Sequence, residues 1–216
     1  MQNNIKTYTD KEMCKACGGL CCKQNGCVYI PSNFKSMNYS KLKKELLKGD
    51  ISIDGIPFDL PGNAWTYILL LRARNEDAEI VDLFTSGGPC KMLKEDGCFY
   101  DEDQRPSLGL AVKPTKVKGP CEKMYDQDFV FNQWIRHQST LELLLKDFTG
   151  KEIKEYLFDI VPLKLDKFNS KRRNNEPLTA MELVNHCEIV QTIANKYYYT
   201  PAEAKQILSN PFIKSW

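Results

Sequence analysis

Apolar positions recur along this chain in two rhythms, and one long region follows neither. Between residues 64 and 84 they run together. "AWTYILLLRAR" (64–74) is rich in aromatic and branched side chains, and "AEIVDLF" (78–84) is short and apolar. Such runs predict two strands, with "NED" (75–77) as the hairpin turn between them. From residue 126 the step changes. Phe129, Phe131, Trp134, Ile135, Leu141, Leu144 and Leu145 recur mostly at three- and four-residue intervals, which predicts one amphipathic helix over 126–148. "KEIKEYLFDI" (151–160) predicts a second helix, ended near residue 160 by the coming Pro162. "SKRRNNEP" (170–177) reads as a polar linker loop. Residues 178–198 open with Thr179 and Glu182 at capping-box spacing, and 199–208 open with Thr200 as cap and Pro201 at the first helical position. One earlier helix is expected in "KLKKELLKGD", with Ser40 as its cap and Gly49 as its stop.

The region without a rhythm is dense in cysteine. Eight of nine cysteines lie between residues 14 and 121, among the turn pairs "GG" (18–19), "NG" (25–26), "PG" (61–62), "GG" (87–88) and "DG" (96–97). That is the texture of a fold stapled by metal or disulfide. The expected architecture is therefore α+β. A small loop-rich cysteine and metal module with a short β-hairpin occupies residues 1–125, and a mostly helical half of about four helices occupies 126–216, packed on the first as one unit.

Charge narrows the partners. Thirty basic residues against 28 acidic ones leave a formal charge of +2, which gives neither an electrostatic footprint for nucleic acid nor a polybasic membrane patch. No apolar run approaches the roughly 20 residues of a membrane span. "MQNNIKTYTDKEM" has no apolar stretch of the kind a secretory signal needs, so a cytoplasmic location is expected. A reducing cytosol disfavours structural disulfides, and nine thiols would leave one over in any pairing scheme.

Clustered thiols in a reducing compartment are most simply metal ligands, and soft thiolates select zinc, Cu(I) or iron–sulfur clusters. Cys14 and Cys17 form a C-x2-C knuckle, Gly18 and Gly19 let the backbone bend, and Cys21 returns to the same place. Cys90 and Cys98 come from a second Gly-flanked loop and Cys121 from a third. On an extended backbone Cys21 and Cys22 would face opposite ways. They then suit two metals, a multi-iron cluster with one thiol outside it, or one ligand beside a redox thiol. The candidate ligands are Cys14, Cys17, Cys21, Cys22, Cys27, Cys90, Cys98 and Cys121. Cys187, among Leu183, Val184, Ile189 and Val190, reads as a core residue. His186 reads as a surface or capping residue, His137 as a bare helix histidine, and Arg72 and Arg74 as solvated charges on one strand face.

"CKACGGLCC" resembles the signature of the YkgJ-type CxxCxxCC cysteine-cluster family of zinc- or iron-chelating domains, with one extra residue before the doublet. "PCKMLKEDGCFYDEDQRP" is similar to the second half of that signature through Cys90, Cys98, Tyr100, Arg105 and Pro106. The family commonly has a cysteine three residues after that proline. Gly109 stands there in this chain, and Cys121 is the candidate to take over the ligand role. The resemblance covers roughly residues 14 to 121 and leaves the helical half untouched. It implies chelation of iron or zinc through cysteine. A related domain in the longer flagellin lysine-N-methylases is associated with an iron–sulfur cluster and methyl transfer. This chain has neither a glycine-rich strand–helix signature for S-adenosylmethionine nor the Cys-x3-Cys-x2-Cys run of radical enzymes, and "TSGGPC" (85–90) reads as a metal-loop bend.

Three functions follow as expectations. The first is a metal-binding protein holding zinc or an iron–sulfur cluster, 4Fe-4S among the options. The second is a cluster-dependent methyltransferase or oxidoreductase acting on a protein or peptide. The third is a zinc-stabilised protein-interaction module. No catalytic residue and no oligomeric state can be assigned from the sequence.

Overall fold

The computed structural model describes residues 8, 11–24, 26–60, 64–85, 87–95, 97–100, 104–117, 121–194 and 199–209. It is an α+β fold of helices and small antiparallel sheets. Two short helices come first, α1 (Lys11–Cys17) and α2 (Leu20–Gln24). Helix α3 (Tyr39–Leu47) follows, and Leu42 and Leu46, one turn apart, are fully buried. Its cap is Asn38, whose side chain accepts from Lys41 N at 3.0 Å, and not the expected Ser40. Ser40 instead donates to the same Asn38 oxygen.

The main sheet pairs β1 (Ile51–Leu60) with β2 (Ala64–Ala73), in register from Ile51↔Ala73 to Leu60↔Ala64. The strand over 64–73 is the expected one, but its partner is not residues 78–84. That segment makes a single parallel bridge, Val81 to Ile53. β1 escapes an apolar-run reading because it carries Asp54, Gly55 and Pro57, and β2 supplies the reason for two of them. Asp54 Oδ2 accepts from Arg72 Nε at 2.7 Å and from its terminal nitrogen at 2.7 Å. Gly55 lies under the Tyr67 ring, whose hydroxyl donates to the Gly55 carbonyl at 2.8 Å. The solvated-charge reading therefore fails for Arg72, a half-buried clamp.

The outer edge of β2 is occupied residue by residue. Gln138 donates to the Leu69 carbonyl and accepts from its amide, both at 2.8 Å. Tyr29 N donates to the Leu71 carbonyl, and Ala73 N donates to that of Cys27. Short ribbons follow: β3 (Leu93–Lys94) with β4 (Gly97–Cys98), helix α4 (Ser107–Leu110), and β5 (Val112–Pro114) with β6 (Cys121–Lys123).

The single helix expected over 126–148 is two, α5 (Gln127–Ile135) and α6 (Gln138–Thr149), broken at Arg136 and His137. The break lets both ends reach the sheet. Trp134 Nε1 donates to the Tyr29 carbonyl at 3.1 Å, and Gln138 meets Leu69. Helix α7 (Ile153–Arg173) runs straight through Pro162 and through the start of the expected linker. The missing amide and the ring cost about 3 kcal/mol. Leu157, Val161, Leu165 and Phe168 are buried on the same helix, each contributing about 1.5–3 kcal/mol, which outweighs that cost. Helices α8 (Ala180–Ala194) and α9 (Pro201–Ser209) begin as read, with Thr179–Glu182 and Thr200–Glu203 bonded reciprocally. The region after residue 126 thus holds five described helices where about four were expected.

One core cluster draws on both halves of the chain, from Tyr29 and Leu69 to Leu141, Ile189, Tyr199 and Ile207. Tyr199 is the described member of the "KYYY" run; its neighbours 196–198 and the terminal "PFIKSW" lie outside the described residues. Among the described residues, no helix is long and apolar enough to cross a membrane.

Candidate metal centre

The cysteine signature folds as two helical turns joined by a glycine corner. Gly18 and Gly19 take φ of 62° and 66°, the left-handed region that other residues enter at a cost. A Cβ on Gly19 would also run into Leu93, which ties this corner to β3. Cys14 and Cys17 lie three residues apart on α1, hence on one face. Cys21 and Cys22 sit on α2, not on an extended segment. Helical neighbours project about 100° apart rather than in opposition, so the doublet can serve one neighbourhood. Its two thiols are near enough to shift each other's ionisation.

The remaining thiols are brought in by backbone pairing. Cys90 N donates to the Cys22 carbonyl at 2.7 Å, and Gly88 N to that of Gln24 at 2.8 Å. Cys98 lies opposite Leu93 on β4, and Cys121 opposite Pro114 on β6. Cys27 follows Gly26, whose amide donates to buried Asn75 Oδ1 at 2.8 Å and whose carbonyl accepts from Arg72 at 3.0 Å. Asn75 is expected, as part of "NED", in a hairpin turn. It is a buried hub instead, with its amide nitrogen on Thr85 Oγ1.

Side-chain proximity links these loops. Cys22 has Cys27 as well as Cys21 as an electrostatic neighbour, and Cys121 has Cys21 and Cys17. Cys90 has Cys98 and Cys21 as electrostatic neighbours, and Cys22 has Cys90. Cys17, Cys21, Cys22, Cys27, Cys90, Cys98 and Cys121 therefore form one connected set, and Cys14 joins it through its helix. The void at Gly109 faces Cys27 rather than Cys121: a Cβ there would lie 2.9 Å from Cys27 Sγ.

The electrostatics follow from crowding. Interaction with Cys22, then burial, pushes the Cys21 thiol well above its usual range. At Cys22 the interaction with Cys21 favours the thiolate, but that with Cys27 and burial win, and that thiol is also pushed up. Burial raises Cys90 and Cys121. Two tyrosines flank the set. Tyr29, held up by burial, is bonded to Tyr100, which burial and then Asp50 push up to about 12. Cys21, Cys22, Cys90 and Cys121 thus resist ionising in this setting. A cation placed among them would invert that preference, because a coordinating thiol loses its proton outright.

The donor set fits a thiophilic metal in its chemistry. In its spacing, no group of three Cys, His, Asp or Glu among the described residues is close enough to hold an ion. Cys187 is not core: it is exposed on α8, as are Leu183, Val184 and Val190, because the helix buries Asn185, Ile189 and Ile193 instead. His186 stacks on Phe168 with ring centroids 4.5 Å apart. His137 sits at the α5–α6 break, its pKa lowered by burial and then by Arg136. Arg105 donates to the Tyr100 carbonyl. Gly109 is marked in the sequence as standing where the resembled family has a cysteine, but Tyr29, Asp54 and Asn75 escape notice as neighbours of the cysteine loops. Only Asp54 carried a signal, a charge inside a strand. The chain matches no family model, no curated protein and no solved structure.

Proposed function

We propose that this chain is a metal-binding protein whose clustered cysteines hold zinc or an iron–sulfur cluster. The observation that carries the reading is the gathering of thiols from separate loops into one neighbourhood, in which Cys21, Cys22, Cys90 and Cys121 are held protonated by burial and by neighbouring thiols. Such a set is a poor arrangement for free thiols and a good one for a cation. Cys17, Cys21, Cys22, Cys27, Cys90, Cys98 and Cys121 are the ligand pool, with Cys14 one turn from Cys17. The metal would supply a fixed positive charge and a cross-link between the loops. Binding would draw in thiols that stand further apart than a coordination sphere requires. The resemblance of "CKACGGLCC" to the YkgJ-type family points the same way.

Anaerobic purification with metal, acid-labile sulfide and visible absorbance measurements tests this. Brown colour with sulfide selects an iron–sulfur cluster, and a colourless protein with stoichiometric zinc selects a structural site. A metal-free protein with its thiols paired in disulfides overturns both. A second reading, a cluster-dependent modifying enzyme acting on a protein or peptide, draws on the exposure of the Cys21 residue to solvent. Catalytic metals keep an open position. Full cysteine ligation with no exchangeable ligand would exclude that second reading.

A further inference from the structure

We propose that the outward face of α8 is the centre of a homodimer interface, on which α8 of a second copy packs antiparallel with Cys187 at the two-fold axis. No metal enters this contact. A surface helix ordinarily turns its apolar stripe inward and its polar side chains to water. Helix α8 inverts much of that arrangement. Asn185 and Thr192 are buried beside Ile189 and Ile193. Asn185 Nδ2 donates to the carbonyls of Phe84 and Thr85, and Thr192 Oγ1 donates to that of Glu188 at 2.8 Å. The two acidic residues of the helix also turn inward: Glu182 pairs with Lys171 at 2.5 Å, and Glu188 stands near Asp54 and Arg72. Solvent meets Ala180, Leu183, Val184, Cys187, Val190 and Gln191, none of them charged. Leu183, Val184 and Val190 are 51%, 47% and 42% exposed. Contiguous exposed apolar stripes, unlike scattered single residues, mark interaction surfaces.

Spacing selects a helix to cover this face, and symmetry selects which helix. Ala180, Leu183, Cys187 and Val190 follow the alternating three- and four-residue steps of a seam between two helices. A two-fold contact needs a patch that complements itself. Val184 and Val190 lie three residues before and three after Cys187, so reversing the helix about Cys187 lays valine level with valine. A face without charge tolerates its own copy, whereas a charged partner would find nothing here to pair with. The stripe is small beside the roughly 800 Å² per partner of a standard interface, so a weak dimer is expected, with a dissociation constant of about 10–100 µM.

The test is sedimentation equilibrium of the full chain under reducing conditions, over about 5 to 500 µM. The wild type is expected to pass from monomer to dimer in that range. Val184→Glu and Val190→Glu each set an unpaired charge in the seam and are expected to weaken the dimer by about tenfold or more. Val184→Lys with Val190→Glu in one chain sets lysine level with the other copy's glutamate, and is expected to recover about tenfold over Val190→Glu alone. A wild type that stays monomeric overturns the proposal, as does a dimer that neither single substitution weakens. Loss in both single variants without recovery in the double variant overturns the antiparallel pairing. If a substituted chain does not fold, alkylation of Cys187 in the wild type decides. Its rate should fall about fivefold from the lowest to the highest concentration as dimer forms, and an unchanged rate overturns the proposal.

Discussion

The helices packed on β1 and β2 and the cysteine loops strung along the edge of β2 are held by different means. On the helical side, Leu42, Leu69, Trp134, Leu141 and Leu157 are sealed from solvent, and apolar area at about 25 cal/mol per Å² holds them. On the cysteine side, no described side chain of α1 or α2 is fully buried, and of the eight candidate thiols only Cys90 is. That side is attached by backbone hydrogen bonds to β2 and to residues 88–90, and by contacts among thiols. The first region has its folding energy in its own apolar surface. The second has less of that source, with Tyr29, Cys90 and Met92 as its members of the core, so a bound metal would add most where the chain has least.

The largest expected effect tests the apolar side. Trp134→Ala removes a fully buried indole and the donor to Tyr29, and should cost about 3–5 kcal/mol by urea denaturation. A cost under about 1 kcal/mol would mean the helical side is not the keystone. Stripping the metal from the loaded protein should remove about 2.7 kcal/mol at a hundredfold excess over the dissociation constant. Amide exchange would locate the loss: residues 20–29 and 88–98 should lose protection while 141–165 keep theirs. Equal loss in both would erase the contrast.

A smaller effect comes from the seam between the regions, where Glu188 on α8 stands near Asp54 and Arg72. Burial, then the Asp54 charge, outweighs the attraction of Arg72 and pushes Glu188 from 4.5 up to about 7. A carboxyl raised in the folded state contributes stability that is fully present below about pH 4.5 and is lost as pH rises through about 7. Wild type should therefore lose about 1–2 kcal/mol across that window, after allowing for solvent screening, and Glu188→Gln should flatten the profile. An unchanged slope in the variant would remove Glu188 from this role. The smallest effect is expected at exposed Cys187: Cys187→Ser should shift stability by no more than about 0.5 kcal/mol and release no metal. Metal loss there would break the division into ligand and bystander thiols.

Local patterns were legible in the sequence and long-range compensations were not. Thr179–Glu182 and Thr200–Pro201 announce their helices because each signal lies within one turn. The strand over 64–73 is legible because its apolar run is continuous. β1 escapes such a reading because Asp54 and Gly55 make sense only beside Arg72 and Tyr67, their diagonal neighbours on another strand. The passage of α7 through Pro162 depends on burial against elements that no local window contains. At the candidate site, residue type and clustering could be read from spacing. The helical setting of the doublet and the facing of Cys27 toward Gly109 could not, since each depends on how separate loops dock.

The filled edge of β2 has a further consequence for solubility. A two-stranded sheet has two borders, and a border of free amides beside "ILLLRA" would template pairing with another chain. Here Gln138, Tyr29 and Cys27 occupy it at Leu69, Leu71 and Ala73. Two of those three guards belong to the cysteine segment. Peeling that segment away would uncover a hydrophobic strand border, and the same loops that gather thiols therefore also shield the protein from edge-to-edge aggregation.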